Sequence, residues 1–150
     1  MSFINLEQLA TTTGPLLGID PGTKTFGLAV SDTTRLISTP VETIRRKKFT
    51  PDAAKIFALY DERECAAMII GNPINMDGSE GPRSQSVKDF CQNLVGLRDV
   101  PILLWDERLS TAAVTRTLLE ADTSRAKRAD VVDKLAASYI LQGVLDRLRF

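Results

Sequence analysis

The residues of this sequence that are best suited to chemistry are carboxylates that follow apolar segments. Asp20 ends the segment LLGID, and the adjacent pair Asp106 and Glu107 ends PILLWDE. Asp133 lies on an otherwise apolar helical stripe near the C-terminus. Carboxylate oxygens are the ligands that Mg²⁺ and Mn²⁺ prefer, and two such ions about 3.5 to 4 Å apart can activate water and stabilise the leaving oxygen in phosphodiester cleavage. The residue types therefore favour a metal-dependent nuclease.

Histidine and cysteine offer no competing chemistry. The chain has no histidine, and its 2 cysteines, Cys65 and Cys91, are isolated and lack a CxxC spacing. Neither a zinc site nor a Cys-His catalytic pair can be built from them. We expect both cysteines to be buried free thiols.

The first half of the chain predicts antiparallel strands. Residues 16–20 and 25–31 are short apolar segments bounded by turn formers. Between them, DPGT at 20–23 has the Pro and Gly placement of a type II turn, which predicts a β-hairpin. A third strand is expected over 36–44, with a break at Pro40 left open.

The second half alternates helices and strands. Thr50 is a candidate helix cap, Pro51 suits the first helical position, and Ser110 is a candidate cap for a later helix. The expected order is a helix from Thr50, a strand over 66–71, a helix over about 84–97, a strand over 101–105, a helix after Ser110, and a last helix over about 130–147. Alternation of this kind implies parallel strands. The predicted fold is α/β, a mixed five-stranded sheet flanked by helices, formed as a single domain over 1–150.

This fold would gather carboxylates at one edge of the sheet. Ligands of open α/β sheets collect beyond the carboxyl ends of parallel strands, where Asp20 and the Asp106–Glu107 pair are expected. Asp32 follows an antiparallel strand, so we expect it at the opposite edge in a turn role. Two alternatives remain open, namely Asp20 as a turn residue before Pro-Gly and Asp133 as a partner of the helix dipole or of a cation.

Charge restricts the ways in which nucleic acid could bind. The chain has 19 basic and 19 acidic residues, so any such binding depends on local clusters. The candidates are Arg45, Arg46, Lys47 and Lys48, and a second group of Arg125, Lys127 and Arg128. Each cluster has the alternative of being a solvated surface. Lys24 and Arg108 adjoin the acidic residues and are candidates for contact with phosphate oxygens.

The N-terminal segment MSFINLEQLATTTG lacks the basic start and long apolar stretch of a secretory signal. No apolar run approaches the length of a membrane-spanning helix. We therefore expect a cytoplasmic protein.

Four segments of the sequence together resemble one family. They are LLGIDPGTKTFGLAVSD, MIIGNPINMDGSEGPRSQSV, LWDERLSTAAV and VVDKLAASYILQGVLD. In this order they are similar to the YqgF family, also called RuvX, within the RNase H-like superfamily. The resemblance implies an RNase H-like fold and a bacterial cytoplasmic nuclease that matures the 5′ end of 16S rRNA, with Holliday junction cleavage as an older assignment. It also implies Asp20, the Asp106–Glu107 pair and Asp133 as the catalytic carboxylates.

The fourth strand departs from the wider superfamily. Many RNase H-like nucleases carry a glutamate at this strand end, where the present chain has GNP from residue 71. The resemblance implies that the fifth strand supplies the missing ligand. Because adjacent strand residues point to opposite faces, we favour Glu107 and keep Asp106 as the alternative. The following loop, NMDGS from Asn75, resembles the family signature and either positions substrate or only satisfies turn geometry.

Two functions of other classes remain open. A strand, Asp, Gly-Thr and a second strand also form the phosphate loop of the ATP-binding fold in actin and sugar kinases, although those proteins close two such domains around ATP. The other alternative is a non-catalytic nucleic-acid-binding module, which clustered carboxylates disfavour because they repel phosphates. RNA or branched DNA as substrate, and a monomer or a homodimer as the active form, are also open.

Overall fold

A computed structural model of the protein describes residues 2–75, 77–109 and 125–149, with the backbone alone described over 125–134. Its elements are α1 (Leu6–Ala10), β1 (Leu16–Pro21), β2 (Thr25–Ser31), β3 (Ser38–Arg45), α2 (Phe49–Glu62), β4 (Ala67–Asn72), α3 (Pro82–Leu97), β5 (Ile102–Asp106), a 3₁₀ turn (Glu107–Leu109) and α4 (Arg125–Arg149). The helix expected after Ser110 falls outside the described residues. None of the described helices is long and apolar enough to cross a membrane.

The strands form one mixed sheet in the order β3-β2-β1-β4-β5. The β1–β2 and β2–β3 pairs are antiparallel, whereas the β1–β4 and β4–β5 pairs are parallel. The predicted mixed five-stranded sheet is therefore confirmed. Because β1, β4 and β5 are parallel neighbours, their carboxyl ends lie along one edge, which we call the carboxyl edge.

Helices cover both faces of the sheet. On one face, α4 packs over side chains that include Leu16 and Ile69. On the other face, α2 and α3 pack over Leu17 and Ile70. We call these the α4 face and the α3 face. Since the central strands are buried on both faces, their sequences are continuous apolar segments rather than alternating ones.

The β1–β2 hairpin turns later than the sequence predicts. β1 continues through Pro21, which pairs with Phe26, and the N–H of Gly22 donates to the carbonyl of Thr25 at 2.8 Å. Gly22 does not adopt the positive φ that a type II turn requires at this position. The predicted turn type is wrong because strand pairing extends past Asp20. Asp20 is therefore a strand residue.

α2 begins earlier than predicted. It starts at Phe49, so Thr50 is not its cap and Pro51 is not its first residue. The carboxylate of Asp52, in the first turn, instead accepts a hydrogen bond from the N–H of Lys47 at 2.9 Å. A carboxylate at this place also interacts favourably with the helix dipole.

β3 is bulged rather than broken at Pro40. Leu28 faces Glu42 while Ala29 faces Pro40, so Val41 is an extra residue on β3. β3 is an edge strand, and an edge strand tolerates proline because no neighbouring strand needs its N–H.

Two further helices differ from the sequence prediction. α1 was not predicted, although Asn5 and Gln8 form a capping box that marks its start. α4 begins at Arg125, before the predicted start near residue 130. The second basic cluster therefore lies on the first turns of α4.

Asp32 organises the turn after β2, as predicted. Its carboxylate accepts hydrogen bonds from the backbone N–H groups of Leu36 and Ile37 at 2.8 and 2.9 Å, and from the hydroxyl of Thr34. These bonds, that from Ile37 foremost, lower the pKa of Asp32 to about 2. The turn therefore stabilises the charged carboxylate.

We expect the contribution of Asp32 to stability to depend on pH. Because its folded-state pKa is depressed, the contribution is fully present above the ordinary pKa of 3.8 and is lost as the pH falls towards about 2. Denaturant unfolding of wild type and Asp32→Asn should give a difference in free energy of unfolding that shrinks from about pH 6 to about pH 2.5. A constant difference across that range would contradict this role.

Gly18 allows α4 to approach the sheet. A Cβ at this position would lie 2.9 Å from the Cβ of Leu141 and 3.2 Å from the carbonyl oxygen of Ala137. Neither atom can retreat without a shift of the helix, so we expect Gly18→Ala to lower the free energy of unfolding by about 1 to 3 kcal/mol.

The matched control for Gly18→Ala is Gly96→Ala, where nothing lies within 4 Å of the added Cβ. Alanine is the better helix former, so this variant should keep or raise the free energy of unfolding. Urea denaturation at neutral pH measures both variants. A Gly18→Ala protein as stable as wild type would rule out the close packing of α4.

Candidate active site

Asp20 and Glu107 lie on the α4 face at the carboxyl edge. Asp20 is a residue of β1 and is only 1% exposed. Strand alternation places it on the same face as Gly18, which meets α4. Glu107 follows β5, is 8% exposed, and has its carboxylate over Gly71 of β4. The ends of β1 and β5 therefore direct two carboxylates to the same face on either side of β4.

Gly71 forms a cradle between these two carboxylates. The parallel register of β1 and β4, continued by one residue, sets Gly71 beside Asp20. A Cβ at Gly71 would lie 3.0 Å from Oε1 of Glu107 and 2.6 Å from Cδ1 of Ile140. The lack of a side chain therefore admits Glu107 to this position. On its other side Asp20 pairs with Gly27, so both of its strand neighbours lack side chains.

Asp106 differs from Glu107 in its surroundings. β5 ends at Asp106 and the 3₁₀ turn begins at Glu107. The carboxylate of Asp106 accepts hydrogen bonds from Nε and Nη2 of Arg108 at 3.1 and 2.7 Å. These bonds hold the pKa of Asp106 below its usual value. Arg108, predicted to contact phosphate, is thus engaged by a carboxylate of its own chain.

Asn72 is the last residue of β4. Its Oδ1 accepts a hydrogen bond from the hydroxyl of Ser84 on α3 at 2.8 Å, and both side chains are buried. Asn72 therefore faces α3, on the side of the sheet away from α4. The end of β4 contributes no carboxylate to the α4 face.

The loop after β4 is closed by its own hydrogen bonds. The N–H and Nδ2 of Asn75 donate to the carbonyl and hydroxyl oxygens of Ser79 at 2.9 and 3.1 Å. Gly78 has φ +90°, a conformation that favours glycine. A Cβ there would lie 3.7 Å from Nη1 of Arg108, so the loop adjoins the end of β5. Turn geometry alone accounts for these hydrogen bonds, so the role of Asn75 as a substrate contact stays a prediction. Met76, in the same loop, lies outside the described residues.

Asp133 lies on α4, about two turns before Ile140. Ile140 reaches Gly71 at the carboxyl edge, whereas Gln142 accepts a hydrogen bond from the N–H of Ser38 near the opposite edge. From Gln142 back through Ile140, α4 therefore runs towards the carboxyl edge in the direction of Asp133. The side chain of Asp133 lies outside the part of the chain described.

The basic residues occupy separate places. Lys24 is exposed in the hairpin turn at the carboxyl edge, and Lys48 is exposed before α2. Arg46 and Lys47 line a cleft on the α3 face, whereas Arg45 lies in a groove between β3 and α2. The structure does not describe the side chains of the second basic cluster, Arg125, Lys127 and Arg128.

The carboxylate pair is chemically suited to a hard divalent cation. Asp20 and Glu107 offer only oxygen donors, and Gly71 adds no side chain of its own beside Glu107. Among the side chains that the structure describes, no three from histidine, cysteine, aspartate or glutamate form a metal-binding group. Asp20 and Glu107 therefore fit as two of the ligands that a divalent cation needs.

Both cysteines are buried and free, as predicted. Burial raises the pKa of Cys65 to about 11 and that of Cys91 to about 12. Both thiols therefore stay protonated near neutral pH, so neither is an activated nucleophile.

The sheet order and the carboxylates at its edge define an RNase H-like α/β domain. The chain belongs to the RuvX family, described as Holliday junction resolvases, whose model matches residues 14–147. The family and the fold expected from the sequence are both confirmed.

Two relatives of high sequence identity share one name. A protein of Paramagnetospirillum magneticum named "Putative pre-16S rRNA nuclease" is 62% identical over 131 residues, which cover 87% of this chain and 84% of the relative. A Cereibacter sphaeroides protein of the same name is 61% identical over 136 residues, with coverage of 91% and 85%.

Solved structures share the fold at low sequence identity. Thermus thermophilus RuvC in complex with Holliday junction substrate matches with a TM-score of 0.57 at 12% identity, covering 91% of this chain and 96% of that one. The yeast mitochondrial Holliday junction resolvase matches with a TM-score of 0.50 at 13% identity, with coverage of 96% and 85%. At these identities the likeness shows the fold alone.

Two residues near the site were missed by sequence reasoning. The sequence prediction treats Gly71 only as a position that lacks glutamate, although a glycine that ends an apolar strand is itself a signal of close approach. Arg83 lies in the cleft with Arg46 and Lys47. Nothing in its local sequence distinguishes it from an ordinary exposed arginine at a helix start.

We expect Gly71→Ala to reduce activity far more than stability. The added methyl would meet Oε1 of Glu107 and Cδ1 of Ile140, which are the ends of flexible side chains and can move aside. The free energy of unfolding should fall by only about 1 kcal/mol. Displacement of Glu107 by about 1 Å should lower the rate of nucleic-acid cleavage by about a hundredfold. Wild-type activity in a folded Gly71→Ala protein would argue against the cradle.

Proposed function

We propose that this protein is a metal-dependent nuclease in which Asp20, Glu107 and Asp133 hold two Mg²⁺ or Mn²⁺ ions, the whole chain acting as a single nuclease domain. The observation that carries the proposal is the placement of Asp20 and Glu107 on one face around Gly71. Membership of the RuvX family supports hydrolysis of phosphodiester bonds. The direction of α4 supports Asp133 as the third ligand.

The carboxylates have distinct structural supports. Asp20 pairs with Gly27 of β2 on one side, and on the other side it directly follows Ile19, which pairs with Ile70 of β4. Glu107 sits on a 3₁₀ turn, and Asp106 accepts a hydrogen bond from the N–H of Arg108 in that turn at 2.9 Å. Asp106 therefore acts as a positioning residue for Glu107. The bound ions would supply the activated water and stabilise the leaving oxygen.

The proposed substrate is precursor 16S rRNA, cut near its 5′ end in the cytoplasm during ribosome biogenesis. RNA as the substrate is supported by the two relatives, at 62% and 61% identity, that are named as pre-16S rRNA nucleases. Trimming one strand needs only a monomer, because a single site suffices.

Cleavage of branched DNA is the second candidate. The family description and the shared fold of Thermus thermophilus RuvC, solved with a Holliday junction, favour it. A symmetric cut of two strands would require a homodimer. The same carboxylates would serve both substrates, since metal-assisted hydrolysis acts on the phosphodiester group of either.

Substrate contacts are proposed from the cations and amides of the carboxyl edge. Two exposed candidates are Lys24 in the hairpin turn and Asn75 in the loop after β4. Arg108 is proposed to stabilise the turn that holds Glu107, through its hydrogen bond to Asp106, and also to bind a phosphate of the substrate. The candidates on α4 are Arg125, Lys127 and Arg128.

We expect Asp20→Asn to abolish cleavage while leaving the fold intact. Asparagine keeps the shape of the side chain but removes the charge that binds the cation, so the single-turnover rate should fall more than about a hundredfold. Precursor 16S RNA and a four-way DNA junction are assayed side by side with Mg²⁺ and with Mn²⁺. Asp32→Asn, the same change at the opposite edge, should keep wild-type activity at neutral pH.

Other outcomes of this assay distinguish the alternatives. Full activity of Asp20→Asn would remove Asp20 from the ligand set. A wild-type protein that binds structured RNA but cleaves neither substrate would favour a non-catalytic binding module. Tight binding of Mg-ATP in isothermal titration would favour the ATP-binding fold.

A further inference from the structure

A basic cleft of about 460 Å³ lies at the same edge of the sheet as Asp20, but on the α3 face. The hairpin turn, the end of β3 and the first turns of α3 form its walls. Its cations are Arg46, Lys47 and Arg83, and its apolar wall includes Val87 and Phe90. Its volume is in the range of sites that hold a nucleotide-sized ligand.

The charges of this cleft are of one sign. None of the described residues that line it is acidic. Within the described part of the chain, Arg46, Lys47 and Arg83 form no ion pair. Asp52 is close in sequence, but its buried carboxylate binds the backbone N–H of Lys47. In a chain with 19 basic and 19 acidic residues, three neighbouring cations create a local site for an anion.

The two arginines are already fixed by the hairpin. Nη1 of Arg46 donates to the carbonyl of Gly22 at 2.7 Å, and its guanidinium lies over the ring of Phe26 at 4.5 Å. Nη2 of Arg83 donates to the carbonyl of Pro21 at 3.1 Å. Each guanidinium has further N–H donors that can bind phosphate at little entropic cost.

The position of the cleft along the chain ties it to the carboxylates. Pro21 and Gly22, whose carbonyls hold the two arginines, are the residues directly after Asp20. Two residues of extended chain span about 7 Å. A nucleic-acid strand that crosses the hairpin turn would therefore meet the cleft on one side of the sheet and Asp20 on the other.

We propose that this cleft is a phosphate-binding subsite, which holds a backbone phosphodiester of the substrate strand adjacent to the one that is cleaved. The inference rests on the proposed nuclease function. Arg46 and Arg83 bind the phosphate oxygens from a fixed frame, and Lys47 adds an adjustable cation. The subsite fixes the path of the strand over the hairpin turn and so its register at Asp20.

Lys47→Gln gives the sharpest test, because no described hydrogen bond uses the side chain of Lys47. Fluorescence anisotropy measures binding of a labelled 12-nucleotide RNA, and of DNA of the same sequence, between 50 and 200 mM KCl without divalent metal. We expect Lys47→Gln and Arg83→Gln each to weaken binding about tenfold and to lower the slope of log Kd against log salt by about 0.7. Equal losses with RNA and DNA indicate phosphate recognition, and losses with RNA alone indicate an added contact to the 2′-hydroxyl.

The control is Lys55→Gln, which removes the same charge from an exposed position on α2. It should keep the wild-type slope. Arg83→Lys, which keeps the charge, should lose less affinity than Arg83→Gln. Thermal unfolding of each variant verifies that the fold is retained.

Three results would overturn the subsite or separate it from the nuclease. The subsite proposal fails if Lys47→Gln and Arg83→Gln show the same slope of log Kd against log salt as Lys55→Gln, even if the wild-type protein cleaves RNA. If a nucleoside monophosphate binds as tightly as the oligonucleotide, the cleft is a site for a single nucleotide and does not hold a nucleic-acid strand. If the cleft substitutions lower the slope but the wild-type protein cleaves neither RNA nor DNA with Mn²⁺, the phosphate subsite is supported and the proposed nuclease function is contradicted.

Discussion

The close contact between α4 and the middle of the sheet is the constraint on which the site depends. Gly18 lets the backbone of α4 approach β1 at Ala137, and Gly71 lets Ile140 approach β4. The same lack of a side chain at Gly71 gives Glu107 its place over β4. Packing and chemistry therefore share one requirement, because any side chain at Gly71 would compete with the carboxylate as well as with the helix.

The carboxyl edge has two chemically different sides. On the α4 face it carries the buried carboxylates Asp20 and Glu107, and on the α3 face it carries the cleft of Arg46, Lys47 and Arg83. A site with negative charge alone would repel a nucleic-acid strand, whereas a basic surface close to it can hold the strand by its phosphates. The division also explains how a chain with equal numbers of acidic and basic residues can serve a polyanionic substrate.

Much of this arrangement was predictable because it depends on local apolar patterning. The apolar segments before Asp20 and Glu107 predicted strands, and parallel order predicted a shared edge. The turn of the hairpin was mispredicted, because pairing of Pro21 with Phe26 overrides the local preference of Pro-Gly. The start of α2 was mispredicted because Asp52 satisfies the Lys47 N–H from within the first turn. The roles of Gly71 and Arg83 depend on neighbours distant in sequence, which no local pattern reports.

We propose that Asp20 on β1, Glu107 directly after β5 and Asp133 on α4 share the same cations. Electron paramagnetic resonance of free Mn²⁺, titrated into wild type, Glu107→Gln and Asp133→Asn, tests this claim most directly. Asp146→Asn serves as the control, since Asp146 is an exposed residue at the far end of α4. We predict that Glu107→Gln and Asp133→Asn each weaken Mn²⁺ binding more than about tenfold, while Asp146→Asn leaves it unchanged. Wild-type affinity in folded Asp133→Asn protein would contradict the claim.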